Sequence, residues 1–207
     1  MLKADFTAEL HREGGGQVVV ASPSLFSKKG KMFNPEGLVD DEGWLCIDAE
    51  RDEYKFTRGE YRPIVFKFNY IKEEGKGVGK RTLYSISCKS GWEYDGARLE
   101  RNARGWLGLY GTGVIGRITD AVTNYPLHLA GLGDYWKIET LQDWDGDLRS
   151  AEDVPFYLRD KHGHRVALAT PDDAAVDLST RHDRYLNAGE TPGDILKFNL
   201  RNINLIE

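Results

Sequence analysis

Cysteine is scarce in this sequence: Cys46 and Cys88 are the two it has in 207 residues. Two thiols build no disulfide scaffold of the kind small secreted domains depend on, and their pairing is not indicated. With 40% hydrophobic residues over this length, the core is large enough to need no crosslinks. Long apolar runs are also missing: no apolar stretch is long enough to span a bilayer. The opening Met1-Leu2-Lys3-Ala4-Asp5-Phe6 has no continuous apolar stretch, unlike a signal peptide. The expectation is a chain that is cytoplasmic at synthesis, or released without a recognisable signal. Excess positive charge is absent too: 28 Lys+Arg against 33 Asp+Glu give a net charge of −5. That balance argues against nonspecific nucleic-acid binding, which rests on a basic surface. Ser27-Lys28-Lys29-Gly30-Lys31 is the local exception and reads as a solvated loop. No amphipathic helix of three turns is predicted, no low-complexity tract and no linker. A single domain over residues 1–207 is expected.

What the sequence does contain is a motif written three times. Trp106-Leu107-Gly108-Leu109-Tyr110 has echoes in Gly43-Trp44-Leu45-Cys46-Ile47 and in Arg184-Tyr185-Leu186-Asn187-Ala188. Each aromatic follows an upstream leucine (Leu38, Leu99, Leu178) across a polar, turn-like run. A second marker fixes the period. Phe66-Lys67-Phe68-Asn69-Tyr70, Trp136-Lys137-Ile138-Glu139-Thr140 and Leu196-Lys197-Phe198-Asn199-Leu200 share the alternation apolar, Lys, apolar, polar. Such alternation marks a half-buried strand. Phe6-Thr7-Ala8-Glu9-Leu10 is a weaker fourth copy. The copies begin at 6, 66, 136 and 196, at intervals of 60, 70 and 60 residues. Four copies bounding three intervals predict a last strand that closes against the first.

Short strands, evenly spaced and punctuated by Gly and Pro, indicate an all-β barrel or sandwich. With the internal repeats at about 1–64, 65–134 and 135–207, the pattern resembles the β-trefoil superfamily. That resemblance implies a closed six-stranded barrel with pseudo-threefold symmetry, capped by hairpins and carrying long loops. In that frame Leu45, Leu107, Leu186, Phe68, Ile138 and Phe198 point into the barrel. Trp44, Trp106 and Tyr185 fall on the opposite face, as cover for the barrel or as a stacking surface for a ligand, with cover the favoured reading.

Several motifs suggest chemistry and then lose it on context. Gly111-Thr112-Gly113-Val114-Ile115-Gly116 spells the dinucleotide fingerprint, but Pro126 would cut its helix short and the repeat already claims its strand. An insertion with turn glycines is the better reading. Asp143-Trp144-Asp145-Gly146-Asp147 alternates carboxylates like a calcium loop, yet Leu148 and Val154 stand where the loop needs Gly and Glu. It reads as an acidic turn. Asp160-Lys161-His162-Gly163-His164 would share a strand face as a zinc set, but Lys161 and Gly163 favour a solvated hairpin tip. Neither cysteine has a His near it in sequence, and no nucleophile elbow is present. No enzyme activity, metal or cofactor is expected.

Two functions remain as expectations. The first is a lectin-like, carbohydrate-binding protein, in defence or as the targeting part of a toxin, with a glycan or glycoprotein as partner. Sugar sites combine an aromatic face with a directed carboxylate or amide. Trp92, Tyr94 and Asp95 offer that set in the second unit, and Asp160, His162 and Asn187 a weaker one in the third. Ordinary loop and strand chemistry is the plain alternative for all six. The second function is a protein-binding module such as a protease inhibitor, presenting residues 50–63 or 111–133 as contact loops.

Overall fold

The computed structural model describes residues 1–21, 44–48, 61–75, 80–90, 94–110, 134–144, 146–170 and 184–206. Six strands form its centre: β1 (Phe6–Arg12), β5 (Phe66–Glu74), β6 (Arg81–Cys88), β9 (Trp136–Thr140), β10 (Phe156–Arg159) and β14 (Phe198–Leu205). Each pairs antiparallel with the next around a ring, in the order β1-β5-β6-β9-β10-β14. The ring shuts where β14 returns to β1. This is a closed six-stranded antiparallel barrel, and closure leaves its strands without an open edge.

The alternation read from sequence accounts for the barrel strands. β1, β5 and β9 begin at residues 6, 66 and 136, where copies of the marker begin. Phe6, Ala8 and Leu10 are buried, as are Phe66, Phe68, Trp136, Ile138, Phe198 and Leu200. Phe6 stacks on Phe68 at 4.6 Å and meets the Tyr84 ring edge-on at 5.6 Å. Each of these rings, fully buried, contributes about 1.5–3 kcal/mol. Leu45, Leu107 and Leu186 share the same core, as expected of the three echoes.

Closure has its own register. Because the strands are antiparallel, Phe6 stands opposite Leu205 and Phe198 opposite Arg12. The start of the last strand therefore meets the end of the first. The register slips between Thr7 and Glu9, where β14 carries an extra residue. Asn202 lies inside that bulge at φ 54°, a left-handed conformation that Asn tolerates better than most residues.

Between barrel strands the chain makes paired excursions. β2 (Val18–Ala21) pairs with β3 (Leu45–Ile47) and β4 (Tyr61–Pro63). β7 (Arg98–Arg101) pairs with β8 (Leu107–Tyr110). β11 (Ala167–Ala169) pairs with β12 (Tyr185–Asn187) and β13 (Asp194–Ile195). Bridges Trp44↔Gly108 and Trp106↔Asn187 link the excursions to one another.

Some local expectations change. Glu100 and Arg101 extend β7 instead of forming a turn, because Arg98–Arg101 pairs along its whole length with β8. Tyr94 belongs to a turn, with the Ala97 N–H donating to its carbonyl at 2.8 Å. Cys46 and Cys88 are buried, and no disulfide joins them. Asp147 caps a short 3-10 helix, Leu148–Asp153, by accepting from the Arg149 N–H. That gives the acidic turn a structural task; Asp145 lies outside the described residues. So do the 111–116 glycines, the basic run 27–31, the proposed contact loop 111–133, and residues 50–60 of the proposed contact loop 50–63, whose last three residues are β4.

Candidate functional site

The six residues singled out for sugar binding fall into two groups. Trp92 lies outside the described residues. Tyr94 and Asp95 are adjacent in one turn but not on one surface. The Tyr94 ring is fully buried in the core, while Asp95 is exposed. A ring with no free face cannot stack on a sugar, so Tyr94 takes the structural reading.

The second group is brought together. β10 ends at Arg159 and the chain turns at 160–163. The Gly163 N–H donates to the Asp160 carbonyl at 3.1 Å, and the Asp160 N–H to the His164 carbonyl at 3.0 Å. Gly163 sits at φ 97°, where a side chain would be strained. The turn is therefore a tight hairpin tip, not the strand that a shared zinc face would need.

The tip is not fully solvated, however. Asp160 is only 2% exposed. Its carboxylate accepts the His164 N–H at 2.8 Å and His164 Nδ1 at 3.0 Å, and forms an ion pair with Arg101 Nε at 3.2 Å. Charge-assisted bonds of this kind compensate the burial of the charge. Donation from Nδ1 assigns the tautomer of neutral His164 and leaves Nε2 as an acceptor. Arg101 also donates Nη1 to the Ala188 carbonyl at 3.1 Å. One guanidinium thus ties the 160–164 turn to β7 and to the end of β12.

Asn187 stands beside that junction, buried, with Nδ2 donating to the Arg104 carbonyl at 3.1 Å. At the rim, Lys161 pairs with Asp134 at 2.7 Å. His162 is exposed, its ring 6.2 Å from that of His164. Burial raises the Glu100 carboxyl above its ordinary range, the more so beside Asp134, with Arg98 and Lys161 opposing. The result is a polar patch, Asp134, Lys161, His162 and His164, standing on buried Asp160 and the half-buried Arg101 paired with it. Among the described residues no group of three His, Cys, Asp or Glu is placed to hold a metal ion.

Comparison with protein-family models, curated proteins and solved structures found no match.

The repeated aromatics form a different constellation. Trp44 stacks on Trp106 at 5.4 Å, and Tyr185 meets both edge-on, at 5.3 and 6.5 Å. With Val19, Cys46 and Ala169 they make a second, smaller apolar cluster. Their faces are spent on one another, which supports cover over stacking on a ligand. Sequence reasoning missed Arg101 and Asp134 in the Asp160 patch. Neither lies near residues 160–164 in the chain, and only the pairing of β7 and the path into β9 bring them there.

Proposed function

We propose that this chain is a non-enzymatic, lectin-like protein that binds carbohydrate at the 160–164 turn. The observation that carries the reading is the buried Asp160 carboxylate, which holds His164 and pairs with Arg101 beside exposed His162 and the half-buried Lys161–Asp134 pair. Sugar hydroxyls are both donors and acceptors, and discrimination between their orientations needs partners whose directions are fixed in advance. A carboxylate that locks an imidazole tautomer supplies that direction. We also propose that the barrel is a β-trefoil, with units at about 1–64, 65–134 and 135–207. The three echoes that share one core, and the excursions after β1, β6 and β10, support that reading.

The test is a glycan array read with the parent protein and with His162→Ala, Lys161→Ala and Asp95→Ala. Binding that weakens in the first two and persists in the third supports the site. An array without any binder, together with inhibition in a protease panel, would move the protein to the class of protein-binding modules.

A further inference from the structure

Outside that patch, the outer wall of the barrel gathers arginines around one carboxylate. Glu139 on β9 faces outward between β6 and β10. It accepts Arg81 Nε at 2.9 Å, and Arg159 Nε and Nη2 at 2.7 and 3.2 Å. Arg165 Nη2 stands at 3.7 Å, beyond hydrogen-bond distance. Arg159 is engaged at all three nitrogens, since its Nη1 also donates to the Gly163 carbonyl at 2.7 Å. The other two are not. Arg81 uses only Nε, and its terminal nitrogens donate to nothing among the described residues. Arg165 donates no hydrogen bond among them; its Nε is buried without a partner. Stacking holds its guanidinium 4.0 Å from the Tyr157 ring centre. The side chains of Arg81 and Arg165 are 36% and 34% exposed. Lys137 lies on the same wall, and Glu74, paired with Lys72, is a further acid nearby. The wall keeps a surplus of positive charge in a chain whose net charge is −5.

We infer that Arg81 and Arg165, flanking Glu139, form a subsite for an oxyanion carried by a glycan: the carboxylate of a uronic acid or a sulfate ester. The inference rests on the carbohydrate reading and deepens it. Two planar guanidinium forks with unused donors match the geometry of such groups. Glu139 pre-orients the arginines, and the Tyr157 ring fixes one of them, so little order remains to be imposed on binding. The subsite adjoins the 160–164 turn through Arg159 and Gly163, and Arg165 follows His164 directly. The proposed glycan sets a neutral residue at His162 and an adjoining charged residue against the arginines. A long polyanion such as nucleic acid would meet the acidic remainder of the surface.

Calorimetric titration with galactotriose, trigalacturonate, a sulfated galactotriose and polyglutamate tests this, at low salt and at physiological salt. The charged sugars should bind roughly tenfold tighter than galactotriose, with the advantage shrinking as salt rises. The two charged arms decide which oxyanion is preferred. Arg165→Ala and Arg81→Ala should remove the advantage while leaving galactotriose binding and the circular-dichroism spectrum unchanged. Arg165→Lys, which keeps charge but loses the fork, should lose most of it, and Lys137→Ala little. Galactotriose binding with no preference for charged sugars overturns this inference alone. So does a preference that survives both arginine variants, or polyglutamate binding as tight as that of trigalacturonate. Failure of every sugar to bind defeats the carbohydrate reading itself.

Discussion

Replacing Asp160 by Ala removes the one carboxylate on which the candidate site stands. Two donors lose their acceptor at once, the His164 N–H and His164 Nδ1, and Arg101 Nε loses its ion-pair partner. Breaking a buried ion pair by deleting one partner costs about 3–5 kcal/mol, because the other charge remains buried. Two features lower that figure here. Arg101 keeps its bond to the Ala188 carbonyl and is 20% exposed, and the His164 side chain is 39% exposed. A loss of about 2–4 kcal/mol is expected for Asp160→Ala. Asp160→Asn keeps an acceptor for the His164 N–H but loses the charge, and should cost about 1–2 kcal/mol. Urea denaturation with the slope held constant across variants measures both. A double-mutant cycle with Arg101→Met should return a coupling of about 1–3 kcal/mol. If Asp160→Ala cost under about 0.5 kcal/mol, the level of an ordinary surface change, Asp160 would not be a buried anchor and the rim would not be preorganised.

Glu139→Gln should lower stability at neutral pH by about 1–3 kcal/mol. Burial pushes this carboxyl upward, but the hydrogen bonds and charges of Arg159 and Arg81 outweigh it, leaving the folded value below the usual 4.5. Its contribution is thus complete above 4.5 and vanishes as pH falls through the folded value; parent and variant stabilities should converge in acid denaturation profiles, and a constant gap would refute the assignment. Gly105→Ala should destabilise by about 1–3 kcal/mol, as read by thermal unfolding. The glycine sits at φ 87°, and a Cβ there would meet Asn187 Oδ1 at 2.9 Å and Gly189 Cα at 3.0 Å. Trp44→Ala and Trp106→Ala should each cost about 3–5 kcal/mol. Their double-mutant cycle should show about 0.5–1.5 kcal/mol of coupling from the stacked rings; strict additivity would mean that the stack contributes nothing.

Much of the barrel was legible because a half-buried strand writes its burial into the sequence. The alternation at Phe66-Lys67-Phe68 and Trp136-Lys137-Ile138 located two strand starts and separated core from surface. The recurrence of that pattern at Leu196 foretold that the last strand would meet the first. Local polarity misled where pairing decided the outcome. Glu100 and Arg101 looked like a turn, yet β8 holds them in a strand, and Glu100 is buried. The same blind spot hid the nature of Asp160. Its neighbours Lys161, His162 and Gly163 spell a solvated tip, and nothing within the tip reveals an arginine arriving from β7 to compensate a buried charge. Tyr94 shows the reverse error: an aromatic beside Asp95-Gly96 suggests a sugar platform, but its ring is absorbed by the core.

The most direct test of the proposed site is an NMR titration of the labelled protein with the best-binding array glycan, following backbone amides residue by residue. Perturbations centred on His162, His164 and Arg101, saturating with the measured affinity, are the result expected. Perturbations confined to the turn at Asp95, or to the cap around Trp44, Trp106 and Tyr185, would contradict it.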